Sequence, residues 1–415
     1  MASTMFFQLI LPVRLHLAFS PIVCSGGAVA PGLTFWLATV VPHCRYFLWR
    51  HRIQTQILTI IPAPGSSVSA LLVSFIDFTK FVRASQRHVR GRTEDFLRMT
   101  VSWPSQDDLL KWLSSDLSNW GRWGSDDQKG TLNHLSPEKT LQAVSLVSEG
   151  VIVSCARPVD FKASVDVPRP PQHFMVSAGD TYRKGESAVR GDRQVAIDYF
   201  GLIFHGHTVT HIDSLAHFFW DGQTYNGRPS SVVSTAEGAT EFDVMAAAGG
   251  IVTKGVLVDA PLLRGVDFIE RGDGIGVADI EAAEREHGVR VEKGDVLLLR
   301  TGQLGRREVT GPVDVRVDGS SGPSPEILPL LYERDVAVMG SDTGNDIGPN
   351  PYDRFTNPVH QVGIVGLGLW ILDNAWLDDL AEACVRRGKW EFMFSVLPLK
   401  LPAVTGSPVN PVAIF

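Results

Sequence analysis

Cysteine is scarce in this chain and is never closely spaced. The 415 residues contain four cysteines, far apart and without a C-x-x-C pair: Cys24, Cys44, Cys155 and Cys384. Thiolate zinc sites use closely spaced cysteines, and small secreted domains held by disulfides are rich in them. The sequence therefore argues against both classes and fits a reducing compartment, so we expect a cytoplasmic protein.

Several catalytic motifs are also missing. The chain has no G-x-S-x-G, no H-E-x-x-H and no phosphate-cradling loop, which removes the usual basis for a serine hydrolase, a zincin or a nucleotidase. Residues 363–368 read G-I-V-G-L-G, but they lack the glycine order of a dinucleotide fingerprint, so we interpret them as close helix packing. The net charge of −7 gives no reason to expect nucleic-acid binding.

Acidic residues are few in the first part of the chain. Residues 1–98 hold ten Lys and Arg but three Asp and Glu, whereas residues 99–415 hold 28 and 42. Two charge-free stretches, 15–44 and 54–76, are long enough to span a membrane, but prolines interrupt both. Three interpretations stay open for this atypical extension: translation from a wrong start upstream of Met99, a targeting leader, or a membrane anchor. Without an anchor, we expect no membrane partner.

Histidine, by contrast, is concentrated in one stretch. Four of the twelve histidines lie within residues 205–220, H-G-H-T-V-T-H-I-D-S-L-A-H-F-F-W. The informative subset is H-x-x-x-H-x-D-x-x-x-H, formed by His207, His211, Asp213 and His217. Imidazole nitrogens and carboxylate oxygens are common ligands of Zn²⁺, Mn²⁺ and Fe²⁺, so the pattern predicts a metal site. The ordinary alternative is a set of hydrogen-bonded core or surface histidines.

Strand and helix patterns alternate after residue 99. Ser136 before Pro137 has the pattern of a helix start. Strand patterns occur at 151–155, 196–204, 251–259, 295–300 and 336–340, with helical patterns at 278–287 and 327–333 between the later ones. The strand at 196–204 is expected to deliver the histidine motif, after a long surface loop at 158–192. The alternation indicates an α/β fold.

These motifs together resemble the family called "putative cyclase", which includes bacterial kynurenine formamidase and isatin hydrolase. The family signature, approximately H-x-G-T-H-x-D-x-P-x-H-F, corresponds to residues 207–218, with Val209 and Leu215 in place of Gly and Pro. Further similar segments lie at 299–302, 340–342, 359–360, 371–374 and 406–413. The resemblance makes 99–415 a single catalytic domain. It implies a swivelling β/β/α fold, a homodimer or tetramer, and an arylformamidase-like role of the kind found in tryptophan catabolism.

The resemblance also implies roles for individual residues. The implied metal ligands are His207, His211, Asp213, His360 and Asp373. His217 would act as general acid and base. Aromatic residues, which are also common in cores, are candidates for contact with an aryl substrate: Phe218, Trp220 and Trp123.

The leading hypothesis is a metal-dependent hydrolase of C–N bonds in aryl formamides or cyclic amides and imides. A divalent metal, Zn²⁺ or Mn²⁺, lowers the pKa of bound water to about 7. The resulting hydroxide would attack the carbonyl while His217 passes a proton to the leaving nitrogen. Two alternatives stay open: a metal-dependent cyclase or dehydratase, and a non-catalytic protein whose metal has a filled coordination shell.

Overall fold

The computed structural model describes residues 6–9, 15–21, 36–40, 101–182 and 194–415. The chain divides into two units, Met1–Asp77 and Phe78–Phe415. The described part of the first unit is an antiparallel sheet of β1 (Phe6–Leu9), β2 (Leu15–Pro21) and β3 (Trp36–Val40). The predictions about a wrong start, a leader or an anchor fall mostly on residues outside the described ranges. Within those ranges, no helix has the length and apolar character needed to cross a bilayer.

The second unit is built around one nine-stranded sheet that mixes parallel and antiparallel strands. Its four central strands are parallel: β10 (Ile251–Asp259), β12 (Val296–Arg300), β14 (Val338–Ser341) and β15 (Trp370–Asp373). Antiparallel strands flank them on both sides: β4 (Ile152–Ser154), β7 (His211–Asp213), β16 (Glu391–Val396), β17 (Gly406–Pro408) and β18 (Val412–Ile414). The spatial order is β17-β7-β15-β14-β12-β10-β16-β18-β4.

Helical segments occupy the connections between parallel strands, because such strands need a crossover. The α-helices among the described residues are α1 (Gln106–Lys111), α2 (Pro137–Ser145), α3 (Ala260–Arg264), α4 (Val277–His287), α5 (Gln303–Thr310), α6 (Val315–Asp318), α7 (Leu328–Glu333), α8 (Pro358–His360) and α9 (Asp378–Arg387), of which α3 to α8 lie in those connections. Ser136 caps α2 as predicted, since its hydroxyl accepts a hydrogen bond from the Lys139 amide. The predicted α/β class is confirmed.

The central strands are buried on both faces. Leu297, Leu298 and Leu299 of β12 have no exposed surface, and all four residues of β14 and of β15 are buried. Continuous apolar runs of this kind are typical of parallel strands covered by helices. Each fully buried side chain contributes about 1.5–3 kcal/mol, so the strand ends that carry polar residues rest on a rigid frame.

The strand predicted at 196–204 differs from the structure. β6 (Ile197–Gly201) pairs with β5 (Gln172–Ser177) as a separate antiparallel ribbon, and β5 lies inside the predicted surface loop. The histidine motif enters the nine-stranded sheet only at His211. An apolar pattern indicates a strand but does not identify its partner, which explains the difference. Two further short pairs are β8 (Val233–Ser234) with β9 (Gly238–Ala239) and β11 (Gly274–Ile275) with β13 (Gly322–Pro323).

Candidate metal centre

Two antiparallel strands, β7 and β15, bring the first ligand candidates together. Asp373 lies directly opposite His211 in the ladder, and Asp213 lies two residues further along β7. Because side chains alternate along a strand, these three share one face of the sheet. Ile212 and Leu372 enter the core on the other face, fully buried. The distance from His211 Nε2 to Asp373 Oδ2 is 3.6 Å.

His360 reaches the same place from the end of α8. Its Nε2 lies 3.5 Å from Asp213 Oδ2 and 3.7 Å from Asp373 Oδ1. Its other ring nitrogen, Nδ1, is hydrogen-bonded to Asp346 Oδ2 at 2.6 Å. The structure thus brings His360 and Asp373 beside the histidine motif; their role as ligands, which the family resemblance implies, stays a prediction.

His205, which the motif analysis leaves out, also reaches the cluster. Its Nδ1 lies 2.9 Å from Asp213 Oδ1, and its Nε2 is hydrogen-bonded to Thr405 Oγ1 at 2.9 Å. Gly406 in β17 leaves room for the ring, because a Cβ there would lie 3.1 Å from His205 Cε1. The sequence signal for His205 is its place in the histidine-rich stretch 205–220. Spacing alone does not show which of two alternating histidines in an irregular loop faces the aspartate.

His207 lies beside this cluster. Its ring packs over Gly344, where a Cβ would come within 3.0 Å of His207 Cε1. Its main-chain oxygen accepts a hydrogen bond from Arg157 Nη1, and Asn374 Nδ2 donates to the main-chain oxygens of Gly206 and Val209 on either side of it. Burial lowers the pKa of His207 despite the attraction of Asp373. These contacts hold His207 away from the position that His205 takes.

The ligand atoms converge in two groups that share Asp213. In each group the atoms lie within 4.8 Å of one another. The first group is His205, His211 and Asp213, and the second is Asp213, His360 and Asp373. Asp213 Oδ1 faces the two histidines of the first group, and Asp213 Oδ2 faces the histidine of the second. The carboxylate therefore lies between two positions, and His207 belongs to neither group.

The protein leaves several of these ligand atoms unsatisfied. Among the described residues, both carboxylate oxygens of Asp213 and Nε2 of His211 are buried and lack a hydrogen bond of good geometry, although histidine nitrogens lie 2.9 to 3.8 Å from the Asp213 oxygens. Burying a charge without adequate partners costs several kcal/mol, about the scale of a whole domain's net stability. A divalent cation would supply the missing interactions, and imidazole with carboxylate suits Zn²⁺ or Mn²⁺. The residues present therefore fit a divalent cation.

Charges within the cluster keep its carboxyl groups ionised. Burial alone would raise the pKa of Asp213, but the neighbouring histidines, His217 first, outweigh it and lower this pKa well below its usual range. Burial likewise opposes ionisation of Asp373, and His360 lowers the pKa of that carboxyl. His360 is buried too, yet attraction to Asp373 and the hydrogen bond to Asp346 raise its pKa well above its usual range. The cluster is thus two carboxylates among histidines.

His217 lies at the entrance of the cluster. Its Nε2 is 3.8 Å from Asp213 Oδ2, and its ring stacks on His205 with centroids 3.6 Å apart. A quarter of its side chain is exposed, against 1% for His211. Burial is the main reason why its pKa falls to about 4, so the ring is neutral at pH 7. A neutral imidazole that solvent can reach is suited to proton transfer.

Two of the aromatic candidates lie on the chain segment that follows His217. The ring of Phe218 lies 4.8 Å from that of His217 and 4.9 Å from that of His360, measured between centroids. Trp220 stacks on the buried ring of Phe355 at 4.4 Å. The structure therefore places Phe218 directly against the cluster.

Trp123, the third aromatic candidate, lies elsewhere. It packs edge-on against His134, with ring centroids 5.0 Å apart, and His134 Nε2 lies 3.3 Å from Asp335 Oδ1. Asp335 precedes β14, whereas Asp373 ends the parallel strand β15. Trp123 is therefore at the amino ends of the parallel strands, on the opposite edge from the cluster.

The fold and the site define a class: an α/β protein in which one side of a nine-stranded sheet carries a buried cluster of His and Asp. The family model described as "Putative cyclase" matches residues 166–345. A solved structure described as a novel cyclase is 30% identical to the chain, with a TM-score of 0.64 and coverage of 72% of this chain and 97% of that chain. The chain belongs to this cyclase family, as its motifs predict.

Two isatin hydrolases are more distant matches. Isatin hydrolase A from Labrenzia aggregata is 23% identical, with a TM-score of 0.46 and coverage of 67% of this chain and 98% of that chain. Isatin hydrolase A from Ralstonia solanacearum is 21% identical, with a TM-score of 0.45 and coverage of 67% and 97%. No curated protein matches the chain. The predicted fold, that of the cyclase family, is confirmed by the novel cyclase structure.

Proposed function

We propose that this chain is a metal-dependent hydrolase of C–N bonds in aryl formamides or cyclic amides and imides. The observation that carries the proposal is the buried, unsatisfied carboxylate of Asp213 between histidines, with neutral His217 at the entrance. The cation would be Zn²⁺ or Mn²⁺, which this set of nitrogen and oxygen ligands suits. When bound, such a cation makes water nucleophilic near neutral pH and polarises a carbonyl.

The ligands come from both halves of the cluster. His205, His211 and Asp213 hold the cation on one side, and His360 and Asp373 extend the site on the other. Because the two Asp213 oxygens face different histidines, the same residues offer positions for one cation or two.

His217 moves the proton in this proposal. Its ring is neutral at pH 7, so it accepts a proton from the attacking water and then delivers it to the leaving nitrogen. Its ring stacks on His205, which keeps the imidazole beside the cluster while part of it stays exposed to substrate.

Phe218 supplies the apolar wall for the substrate. Its ring lies against both His217 and His360. An aryl amide whose flat ring packs on Phe218 would therefore have its carbonyl carbon next to the cluster. Offset aromatic contacts add about 0.5–1.5 kcal/mol beyond simple burial, which favours aryl over aliphatic amides.

The enzyme would act as a homo-oligomer, and the surface proposed for the contact is the ribbon of β5 and β6. On one face of this ribbon Phe174, Ile197 and Tyr199 are about half exposed, and the rings of Phe174 and Tyr199 stack at 4.7 Å. A lone two-stranded ribbon is marginally stable in water, and monomers rarely expose a large apolar patch. An uncharged face of this kind can pack against the same face of a second subunit across a two-fold axis.

The test is a metal titration of the full-length protein. Its metal is stripped, and Zn²⁺ or Mn²⁺ is added back while ring opening and deformylation are followed on cyclic imides and aryl formamides. Activity should return in proportion to bound metal, with oxygen from labelled water appearing in the product. Stoichiometric metal binding without turnover on the panel would contradict the hydrolase proposal, and loss of water from the substrate would favour a dehydratase.

The role of His217 is tested separately. His217→Ala should bind metal normally and lose about 10²- to 10⁴-fold in kcat, because only proton transfer is removed. His287→Gln is the matched control. His287 ends α4 and stacks on Trp390, away from the cluster, so its replacement should leave kcat unchanged. Loss of metal together with activity in His217→Ala would make His217 a ligand instead.

A further inference from the structure

Asp346 is a buried residue whose side-chain carboxylate accepts hydrogen bonds from a main-chain amide and from a histidine ring. Its Oδ1 accepts from the main-chain amide of Val359 at 2.8 Å, and its Oδ2 is 2.6 Å from Nδ1 of His360. Asp346 is 6% exposed, so water does not replace these contacts readily. Asp346 thus fixes both the backbone before His360 and the ring itself.

The contact with Asp346 decides which nitrogen of His360 faces the cluster. Metal binding requires the neutral imidazole, which has one N–H and one lone pair, and Nδ1 must carry the hydrogen in order to donate to a carboxylate. The lone pair is then on Nε2, the atom that lies 3.5 Å from Asp213 Oδ2 and 3.7 Å from Asp373 Oδ1. A carboxylate behind a metal-binding histidine orients the ring and makes it a better ligand.

The neighbouring residue holds the other ligand of the second group. Asn345 Nδ2 donates to Asp373 Oδ1 at 2.5 Å and to the main-chain oxygen of Leu372 at 2.9 Å. Asn345 has a φ of +51°, a conformation that asparagine adopts more readily than most residues. Two consecutive residues, 345 and 346, therefore contact Asp373 and His360, which belong to different elements.

We propose that Asp346 is a positioning residue that holds His360 with Nε2 directed at the cation site, while Asn345 holds Asp373 beside it. The inference rests on the proposed function, because it assumes that a divalent cation binds between Asp213 and Asp373. It adds residues that neither the histidine motif nor the ligand groups contain.

An isosteric change separates positioning from simple packing. In Asp346→Asn the new side-chain amide has one oxygen acceptor and one NH₂ donor. These two groups must face the main-chain N–H of Val359 and Nδ1 of His360, which occupy the same positions as before. The backbone amide can only donate, so the oxygen faces Val359 and the NH₂ faces the ring. His360 must then carry its hydrogen on Nε2, which blocks metal binding. Asp346→Ala leaves a gap but imposes no such change.

The experiment measures Zn²⁺ affinity by calorimetry on full-length, metal-stripped protein, and the visible spectrum of bound Co²⁺. We expect Asp346→Asn to weaken Zn²⁺ binding by about 10- to 100-fold and to alter the Co²⁺ spectrum. Asp346→Ala should lose no more affinity than Asp346→Asn, although it is the less conservative change in shape. The opposite order, with Asn close to wild type and Ala much weaker, would show a packing role and overturn the inference.

Asp342→Asn is the matched control. Asp342 is also fully buried and accepts from two main-chain amides, those of Thr301 and Gly302, each at 2.7 Å. Its loss should lower the thermal midpoint and leave Zn²⁺ affinity unchanged. An equal loss of affinity in Asp342→Asn would show that general destabilisation explains the effect, and would overturn the positioning role.

A measurement on the wild-type protein needs no variant to fold. Long-range ¹⁵N–¹H spectra of the Zn²⁺-loaded protein, assigned by comparison with His360→Gln, should show His360 with hydrogen on Nδ1 and metal on Nε2. Metal on Nδ1 would overturn the inference while leaving the proposed function intact. Failure of the wild type to bind any divalent cation would overturn both.

Discussion

A single glycine separates His205 from His207, yet the two histidines lie in different surroundings. Gly206 has a φ of +100°, a conformation that residues with a side chain rarely adopt. The side chain of Asn374 donates to the main-chain oxygen of Gly206 at 2.7 Å and holds the turn. This turn directs one ring to Asp213 and the other to Gly344, so at the scale of the residue the ligand set depends on backbone geometry.

This geometry predicts that two alanine variants differ in Zn²⁺ affinity. His205→Ala should weaken Zn²⁺ binding by more than about 100-fold, because losing a direct ligand should exceed the 10- to 100-fold cost of losing a supporting group. His207→Ala is the matched control and should bind Zn²⁺ with near wild-type affinity, since its ring packs over Gly344 and belongs to neither ligand group. Calorimetry on both variants decides the matter. The reverse order of affinities would restore His207 to the ligand set.

Local patterns predicted the elements of this fold better than their partners. Ser136 and Pro137 predict the start of α2, and the structure confirms it, because a helix cap is satisfied by residues close in sequence. β6 was expected to deliver the histidine motif, but its partner is β5 in a separate ribbon. Pairing depends on the whole chain, which single-sequence patterns do not describe.

The same reasoning explains which site residues the sequence could reveal. His211 and Asp213 were singled out, together with His207, by the ligand types and their spacing in one short motif. His360 and Asp373 were found through resemblance to a family. Asp346 gave no signal, because a lone aspartate in a loop acquires its role only when folding brings α8 against it.

At the scale of the element, one close approach joins the 3₁₀ helix Gly130–His134 to the segment before β15. A Cβ on Gly130 would lie 2.2 Å from the main-chain oxygen of Gly368, and the φ of Gly130 is +53°. That oxygen also accepts a hydrogen bond from the amide of Thr131 at 2.9 Å. Only glycine permits both the conformation and the contact.

Gly130→Ala should therefore destabilise the protein more than the same change at Gly150. Gly150 has a similar φ, +68°, but open space around the missing Cβ. Gly150→Ala should cost about 1–2 kcal/mol from backbone strain alone, and Gly130→Ala about 1–3 kcal/mol more from the clash. Thermal unfolding of the two variants measures the difference. Equal midpoints would show that the neighbouring backbone moves aside at no cost.

At the scale of the whole second unit, the sheet edges are poorly suited to association. The edge strands β17 and β4 are three residues long each, and β17 ends in Pro408, which has no N–H to offer a partner strand. Short edges and proline are common protection against edge-to-edge pairing. The ribbon of β5 and β6, with its exposed apolar face, is therefore the better surface for contact with a second copy.

This contrast predicts what controls the mass of the protein in solution. The wild-type protein should have a mass that is a multiple of its 45.4 kDa chain, and the double variant Phe174→Ser, Tyr199→Ser should shift toward a single chain, because it removes two half-exposed rings from the apolar face. Light scattering coupled to size-exclusion chromatography measures both. Val309→Ser on α5 is the control, since Val309 is 86% exposed outside the ribbon and its loss should leave the mass unchanged. A single-chain wild type, or a double variant with wild-type mass, would remove the ribbon as the contact surface.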